Sequence, residues 1–323
     1  MKQSYLALFF LTVLGLYSCR KDGDDIGINE FDQNQIDAYI KANNLTGMQR
    51  DKAGNVDTTG IYYQILNQGK GEVLDYDKRI SLVYTIKSLD GKYAVTDTFV
   101  NRSYNYLGTV APKGLMLALY NLAKTKGTQA RFLIPSRLAY GTNGIGTGGG
   151  RLPGNESLDY YVNVLNDVDK YDDISINKYI TANSLSGYDK ITSVTSPVGG
   201  SPSIIYRKIT QMGTGTVQAT KTSTIAVQYT ELLLNGAKVG EYNDQETGNL
   251  GQPYSLETGL KQGWNEALVG VVAGSKISLI LPSRLVYGFN VQTTIDPTTQ
   301  ATVVRVPAIS SLRYEINIVS VTN

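Results

Sequence analysis

Tyr140 and Tyr287 close two nearly identical runs, IPSRLAYG at 134–141 and LPSRLVYG at 281–288, each setting a phenol hydroxyl beside a glycine. They belong to a chain with 23 tyrosines, one tryptophan, one cysteine and no histidine. With no imidazole and a single thiol, the common zinc sites, serine triads and thiol chemistries are excluded together. Any catalysis must work without them. A net charge of +2 with no long basic run gives no footprint for nucleic acid. The glycine-rich GIGTGGGR at 144–151 is not read as a phosphate loop, because it leads into a strand and lacks the Lys-Ser/Thr ending.

The elements that position these residues are written twice. IDAYIKANNLTG at 36–47 returns as INKYITANSLSG at 176–187, and IYYQILNQGKGEV at 61–73 as IYRKITQMGTGTV at 205–217. SLDYYVNVLND at 157–167 returns as SLRYEINIVSV at 311–321. Order is kept while the loops lengthen, which marks a duplicated domain rather than a short-period solenoid. The expected domains are 33–168 and 169–323, with the boundary in the polar stretch VDKYDDI at 168–174. Each copy opens on a helical segment, with Ile36, Tyr39, Ile40 and Ile176, Tyr179, Ile180 at i, i+3, i+4. Asp32 and Ser175 read as N-caps, and Gly47 and Gly187 as stops. Alternating β-rich runs follow, then a short helix, then the strands ARFLIPS and KISLILPS that carry the tyrosine motif. The fold class is α+β: two domains, each an antiparallel sheet wrapped on a short helix and preceded by a short N-terminal helix.

This order of elements resembles the FKBP-type peptidyl-prolyl isomerase domain. The first copy carries the resemblance at YTIKSLDGK, APKGLMLAL, IPSRLAYG and RLPGNESLDYYVNVL, the second at YTELLLNGAK, LKQGWNEAL, LPSRLVYG and VPAISSLRYEINIV. It implies an apolar bowl between sheet and helix. In the second copy Trp264 would be the floor, Tyr229, Tyr254 and Tyr314 the walls, Tyr287 the rim hydroxyl, and the backbone N–H of Lys261 a donor to a bound carbonyl. In the first copy Tyr84 and Tyr160 would be walls, Tyr140 the rim hydroxyl, Ala111 the backbone donor, and Leu115 would stand where the family has tryptophan. Asp97 falls near the family's buried acid, or else is a solvated loop acid. The second copy lacks the family's Phe-Asp, with Val239 and Gly240 there, and gains NVQTTIDPTTQATVVR, which reads as an extra hairpin.

The implied reaction is rotation about Xaa-Pro bonds, which needs no nucleophile, proton shuttle, metal or cofactor. An apolar bowl that strips water from the carbonyl raises the planar ground state more than the twisted transition state. Two function classes follow. One is an envelope-anchored prolyl isomerase that helps exported proteins fold, with the second copy favoured because it keeps Trp264. The other is a non-catalytic pair of modules that bind proline-containing segments or scaffold an envelope complex.

The N-terminus supplies the expected anchor. MKQSYLALFFLTVLGLYSC has an apolar run too short to span a bilayer, so residues 1–18 read as a signal peptide. LYSC resembles a bacterial lipobox, with Cys19 the acylated residue of the mature chain; the alternative is an ordinary secreted protein. RKDGDDIGIN reads as the start of a solvated tether over 19–32 and resembles the export signal of surface lipoproteins in Bacteroidetes. The expected partners are proline-containing clients and, through the lipid, a membrane of the bacterial cell envelope.

Overall fold

The computed structural model describes residues 27–323 except 54–55, 148–149, 194–201, 244–247 and 249. The signal peptide, Cys19 and the first part of the tether lie outside the described residues. The first half runs α1 (Ile28–Ala42), β1 (Gln49–Ala53), β2 (Val56–Asn67), β3 (Arg79–Ser88), β4 (Ala94–Val95), β5 (Arg102–Tyr106), α2 (Lys113–Ala118), β6 (Gln129–Ile134) and β7 (Leu158–Leu165). The second runs α3 (Val168–Ala182), β8 (Asp189–Thr192), β9 (Ile204–Gln211), β10 (Thr224–Leu233), β11 (Lys238–Tyr242), β12 (Gln252–Ser255), α4 (Gln262–Ala267), β13 (Lys276–Leu281), β14 (Gln292–Ile295), β15 (Thr302–Val306) and β16 (Leu312–Thr322).

The two sheets have one topology. The first is ordered β1-β2-β6-β7-β3-β4, with β5 also on β3; the second is β8-β9-β13-β16-β10-β11, with β12 also on β10. All the pairings are antiparallel, so hairpins and short returns suffice to build them. Alternation sets the core face: Ile80, Leu82, Tyr84 and Ile86 of β3 point into one cluster, and Ile225, Val227, Tyr229 and Leu233 of β10 into the other. Each fully buried aliphatic residue among these contributes about 1.5–3 kcal/mol. The extra segment of the second copy forms the separate β14–β15 hairpin.

Each sheet wraps on its short helix at a glycine. A Cβ at Gly114 of α2 would lie 2.4 Å from Ile134 Cγ2, and one at Gly263 of α4 would lie 2.8 Å from the Leu281 methyls. A side chain at Gly114 would press on the stiff Ile134 and the Leu138 carbonyl, and one at Gly263 would displace the Leu281 methyls, so each helix lies close against the strand that carries the tyrosine motif.

The N-terminal helices differ from the sequence reading in a way that bears on that motif. Helix α1 already begins at Ile28, inside the stretch read as tether, and α3 is capped by Asp167, whose carboxylate accepts from the Lys170 N–H. Asp32 and Ser175 are therefore not caps. Both helices also stop at Ala42 and Ala182, ahead of Gly47 and Gly187. Asp32 and its counterpart Asp172 are buried inside the helices and turn towards the repeated Pro-Ser-Arg. Asp172 accepts from the Ser283 N–H at 2.8 Å, the Ser283 hydroxyl at 2.7 Å and the Ser311 hydroxyl at 2.8 Å. Asp32 accepts from the Arg137 N–H at 3.2 Å and lies 3.8 Å from its guanidinium. Each helix is thus a strut under the turn that aims the motif tyrosine. A compositional signal for caps could not show this, since a buried aspartate and a capping aspartate are spelled alike.

The outer faces of the two sheets carry different charges at equivalent places. In the first, Arg131 on β6 clasps Asp159 on β7 with bonds of 2.9 and 2.7 Å, and the Tyr39 hydroxyl adds a third at 2.9 Å. In the second, Ser278 and Arg313 stand at these positions, and both bond Glu315, at 2.7 Å each.

Helix α3 begins two residues after β7 ends, so the polar stretch at 168–174 is the opening of a helix. The two halves meet there. Val83, Leu165 and Val168 pack with Ile309, and Phe99 packs into the cluster of Ile176, Tyr206, Leu234 and Ile280. Arg102, almost fully buried, donates from Nη1 to the Ile309 carbonyl at 2.8 Å, and Tyr104 stacks on Phe289 at 4.1 Å.

Candidate functional site

In the second half the aromatic residues named from the sequence surround one another. Trp264, 1 % exposed, is carried on the first turn of α4. Its ring centre lies 5.1 Å from Tyr229, 5.1 Å from Tyr254 and 5.2 Å from Tyr314, with Tyr229 and Tyr314 edge-on. This edge-to-face arrangement sets the positive edge of one ring on the negative face of the next. Tyr314 comes from β16, Tyr229 from β10 and Tyr254 from β12, so the bowl is made by three strands and one helix.

A carboxylate sits in that bowl which the sequence reading did not name. Glu231, 1 % exposed, follows Tyr229 by two residues on β10 and so shares its inward face. It accepts from the Tyr287 hydroxyl at 2.8 Å and the Tyr314 hydroxyl at 2.6 Å, and from Arg305 Nη1 at 2.7 Å. Arg305 enters from β15 of the extra hairpin and also reaches the Val239 carbonyl. Burial, then the neighbouring Glu231 charge, pushes the Tyr287 hydroxyl up to about 12, and the same two causes hold Tyr314 well above the usual tyrosine range. Both phenols are therefore neutral donors. A lone acid in phase with Ile225, Val227, Tyr229 and Leu233 was the available signal for Glu231.

Lys261 differs most from its expected role. Its backbone N–H donates to the Tyr254 hydroxyl at 2.9 Å, and that hydroxyl in turn lies 3.0 Å from the Lys261 carbonyl and 2.8 Å from Asn265 Oδ1. The N–H is spent inside the protein. The side chain instead turns inward, with its ammonium 4.4 Å from the centre of the Trp264 ring system, 4.6 Å from Tyr229, 5.3 Å from Tyr314 and 6.0 Å from Tyr287. Burial pushes its pKa below the usual lysine value. The floor of the second bowl is occupied by a cation held on ring faces.

The first bowl is built on the same plan without charge. Tyr84 and Tyr160 lie 6.0 Å apart, Leu115 is buried at the helix start, and Tyr140 shares a hydrogen bond with Tyr160. Tyr93, which the sequence reading did not single out, packs with them. Register makes the comparison exact in position: Ile86 stands opposite Tyr160 as Glu231 stands opposite Tyr314. Pro112 caps α2 where Lys261 caps α4. The donor position assigned to Ala111 therefore belongs to Pro112, which has no N–H. Burial raises the Tyr140, Tyr84 and Tyr160 hydroxyls above their usual range.

Asp97 lies outside both bowls. One carboxylate oxygen accepts from the Phe99 N–H at 2.7 Å, which turns the chain towards the second half, and the other accepts from Asn235 Nδ2 at 2.5 Å across the junction. Its place is a bridge between the two halves. No cluster of three or more metal-ligating acids, histidines or cysteines occurs among the described residues.

The geometry defines two tandem α+β domains, each with an aromatic bowl between sheet and helix. Residues 215–319, which hold the whole second bowl, match the family described as FKBP-type peptidyl-prolyl cis-trans isomerase. Similar solved structures include the three FKBP domains of wheat FKBP73, at 18% identity over 81% of this chain and 95% of that one, with a TM-score of 0.30. A peptidyl-prolyl cis-trans isomerase from Pseudomonas syringae matches at 18% identity over 48% and 96% of the two chains, TM-score 0.34. FkpA from Escherichia coli matches at 23% identity over 50% and 70%, TM-score 0.33. No curated protein sequence matches the chain.

Proposed function

We propose that the protein is a peptidyl-prolyl isomerase that binds Xaa-Pro segments of exported proteins and works from the bacterial cell envelope, held there by a lipid on Cys19. The observation that carries this reading is the aromatic bowl repeated at one place in two sheets, once within the segment that matches the isomerase family. Rotation about the prolyl bond faces a barrier of about 18–20 kcal/mol because amide resonance is lost on the way. A dry, ring-lined bowl favours the twisted bond, whose charge separation is smaller, and a phenol at the rim holds the flanking carbonyl. A thousandfold acceleration asks for only about 4 kcal/mol.

The first bowl suits this chemistry in its present form. It presents no charge to the pyrrolidine ring, and no carboxylate bonds Tyr140 among the described residues. The second has committed Tyr287 to Glu231 and the Lys261 N–H to Tyr254, which favours a peptide-binding role for that copy. A protease-coupled isomerisation assay on the full chain tests the reading. Tyr140→Phe is expected to lower the catalysed rate by about tenfold and Tyr287→Phe by much less. A full chain no faster than buffer leaves the binding role alone standing. Incorporation of a palmitate analogue at Cys19 tests the anchor.

A further inference from the structure

The second bowl holds donors that lack acceptors. Among the described residues the Lys261 ammonium makes no hydrogen bond or close ion pair; Glu231 attracts it only at longer range, and it rests on the rings of Trp264, Tyr229 and Tyr314. The indole N–H of Trp264 is buried without a hydrogen-bond partner. Glu231, the one acid in the bowl, is matched by Arg305 and by two tyrosine hydroxyls, so the local charge is a positive excess centred on Lys261. Ring faces are a modest substitute for an anion, and a partly desolvated ammonium gains more from an ion pair. Access exists from outside: Lys261, Tyr229 and Tyr287 each keep part of their surface in water, and Leu260 beside Lys261 is 94 % exposed at the mouth.

We propose that Lys261 sets the specificity of the second bowl, which takes proline segments that carry a carboxylate next to the proline. The ligand acid draws the ammonium from the ring faces to the rim and forms an ion pair there. The vacated floor over Trp264 then receives the pyrrolidine ring. A neutral segment must expel the ammonium without that compensation, and a cationic one meets repulsion as well. The inference rests on the reading that these bowls bind prolyl segments.

Trp264 is the only tryptophan of the chain, so its emission reports the second bowl and not the first. The full chain is titrated with three blocked peptides, Ala-Glu-Pro-Phe, Ala-Gln-Pro-Phe and Ala-Lys-Pro-Phe amides, at low salt. The expected order of affinity is Glu, then Gln, then Lys, with about tenfold between the ends, shrinking as salt is added. Lys261→Met is expected to bind all three alike, and Lys261→Arg to keep the order. Equal binding of the three by the wild-type chain, or an unchanged order in Lys261→Met, overturns the specificity claim while leaving prolyl binding intact. Failure of all three peptides to bind the wild type, Lys261→Met and Lys261→Arg overturns prolyl binding by this bowl, and the inference with it.

Discussion

Glu231 and Ile86 occupy the same position in the two sheets, one opposite Tyr314 and the other opposite Tyr160. A single substitution at that site separates a bowl that needs Arg305 and two phenols to balance a buried charge from one that needs nothing.

Glu231→Gln should destabilise the second domain by about 3 kcal/mol, because Arg305 loses its anion while two phenols lose a charged acceptor. Replacing both partners, as in Glu231→Ile with Arg305→Met, should recover most of that loss, since the pair then resembles the first bowl. Urea denaturation of Glu231→Ile, Arg305→Met and their double variant gives the coupling directly.

Lys261 gives a pH signature. Its folded pKa is depressed by burial below the ordinary 10.5, so between the two values the unfolded chain holds more protons and native stability rises with pH. The neighbouring phenols titrate later, Tyr254 and Tyr287 at about 12 and Tyr229 and Tyr314 above the usual 10. Arg305 stays charged throughout, its pKa raised. A step in Trp264 emission below 10.5 is therefore expected, and it should vanish in Lys261→Met. A profile with the same step in that variant would assign it elsewhere.

The two Asp struts should differ in worth. Asp172→Ala removes three hydrogen bonds from a buried turn and should cost about 3 kcal/mol, while Asp32→Ala, with one long bond and a distant guanidinium, should cost about 1 kcal/mol. Burial raises the Asp172 pKa, so its share of stability is largest in acid and declines as pH climbs through the window above the ordinary aspartate value. Thermal unfolding of both variants at neutral pH ranks them.

The architecture was legible because it depends on periodicity: the alternation in RISLVYTIKS and TIAVQYTELLL and its repetition fix strands, faces and order. The ring residues Tyr229, Tyr254, Trp264 and Tyr314 were named through the resemblance to the prolyl isomerase domain, since alternation alone marks a strand tyrosine only as a packing residue. What the sequence could not convey is where a long side chain goes. Lys261 was valued for its backbone and acts through its ammonium. Asp97 was placed by counting from a turn, and an Asx bond to Phe99 carries it to the junction instead. Arg305 stands where the first copy has Arg151, ahead of the repeated apolar-Pro pair, yet Arg151 bonds the Asn143 carbonyl while Arg305 reaches Glu231, so the shared spelling could not place it.

Arg102 should decide whether the halves unfold together. Its bond to the Ile309 carbonyl is buried between them, and Arg102→Met leaves that carbonyl without a donor at a cost of about 2 kcal/mol. Calorimetry should show one transition in the wild type and two in the variant.

Two sheets of one topology on one chain invite their strands to trade places while folding. The outer-face charges do not treat the two exchanges alike. In the native register β6 laid on β16 would set Arg131 opposite Glu315, whereas β13 laid on β7 would put Ser278 where the buried Asp159 has Arg131. The divergence of the copies at these positions therefore sorts the strands in one direction, through a buried carboxylate that loses its guanidinium when the wrong strand arrives.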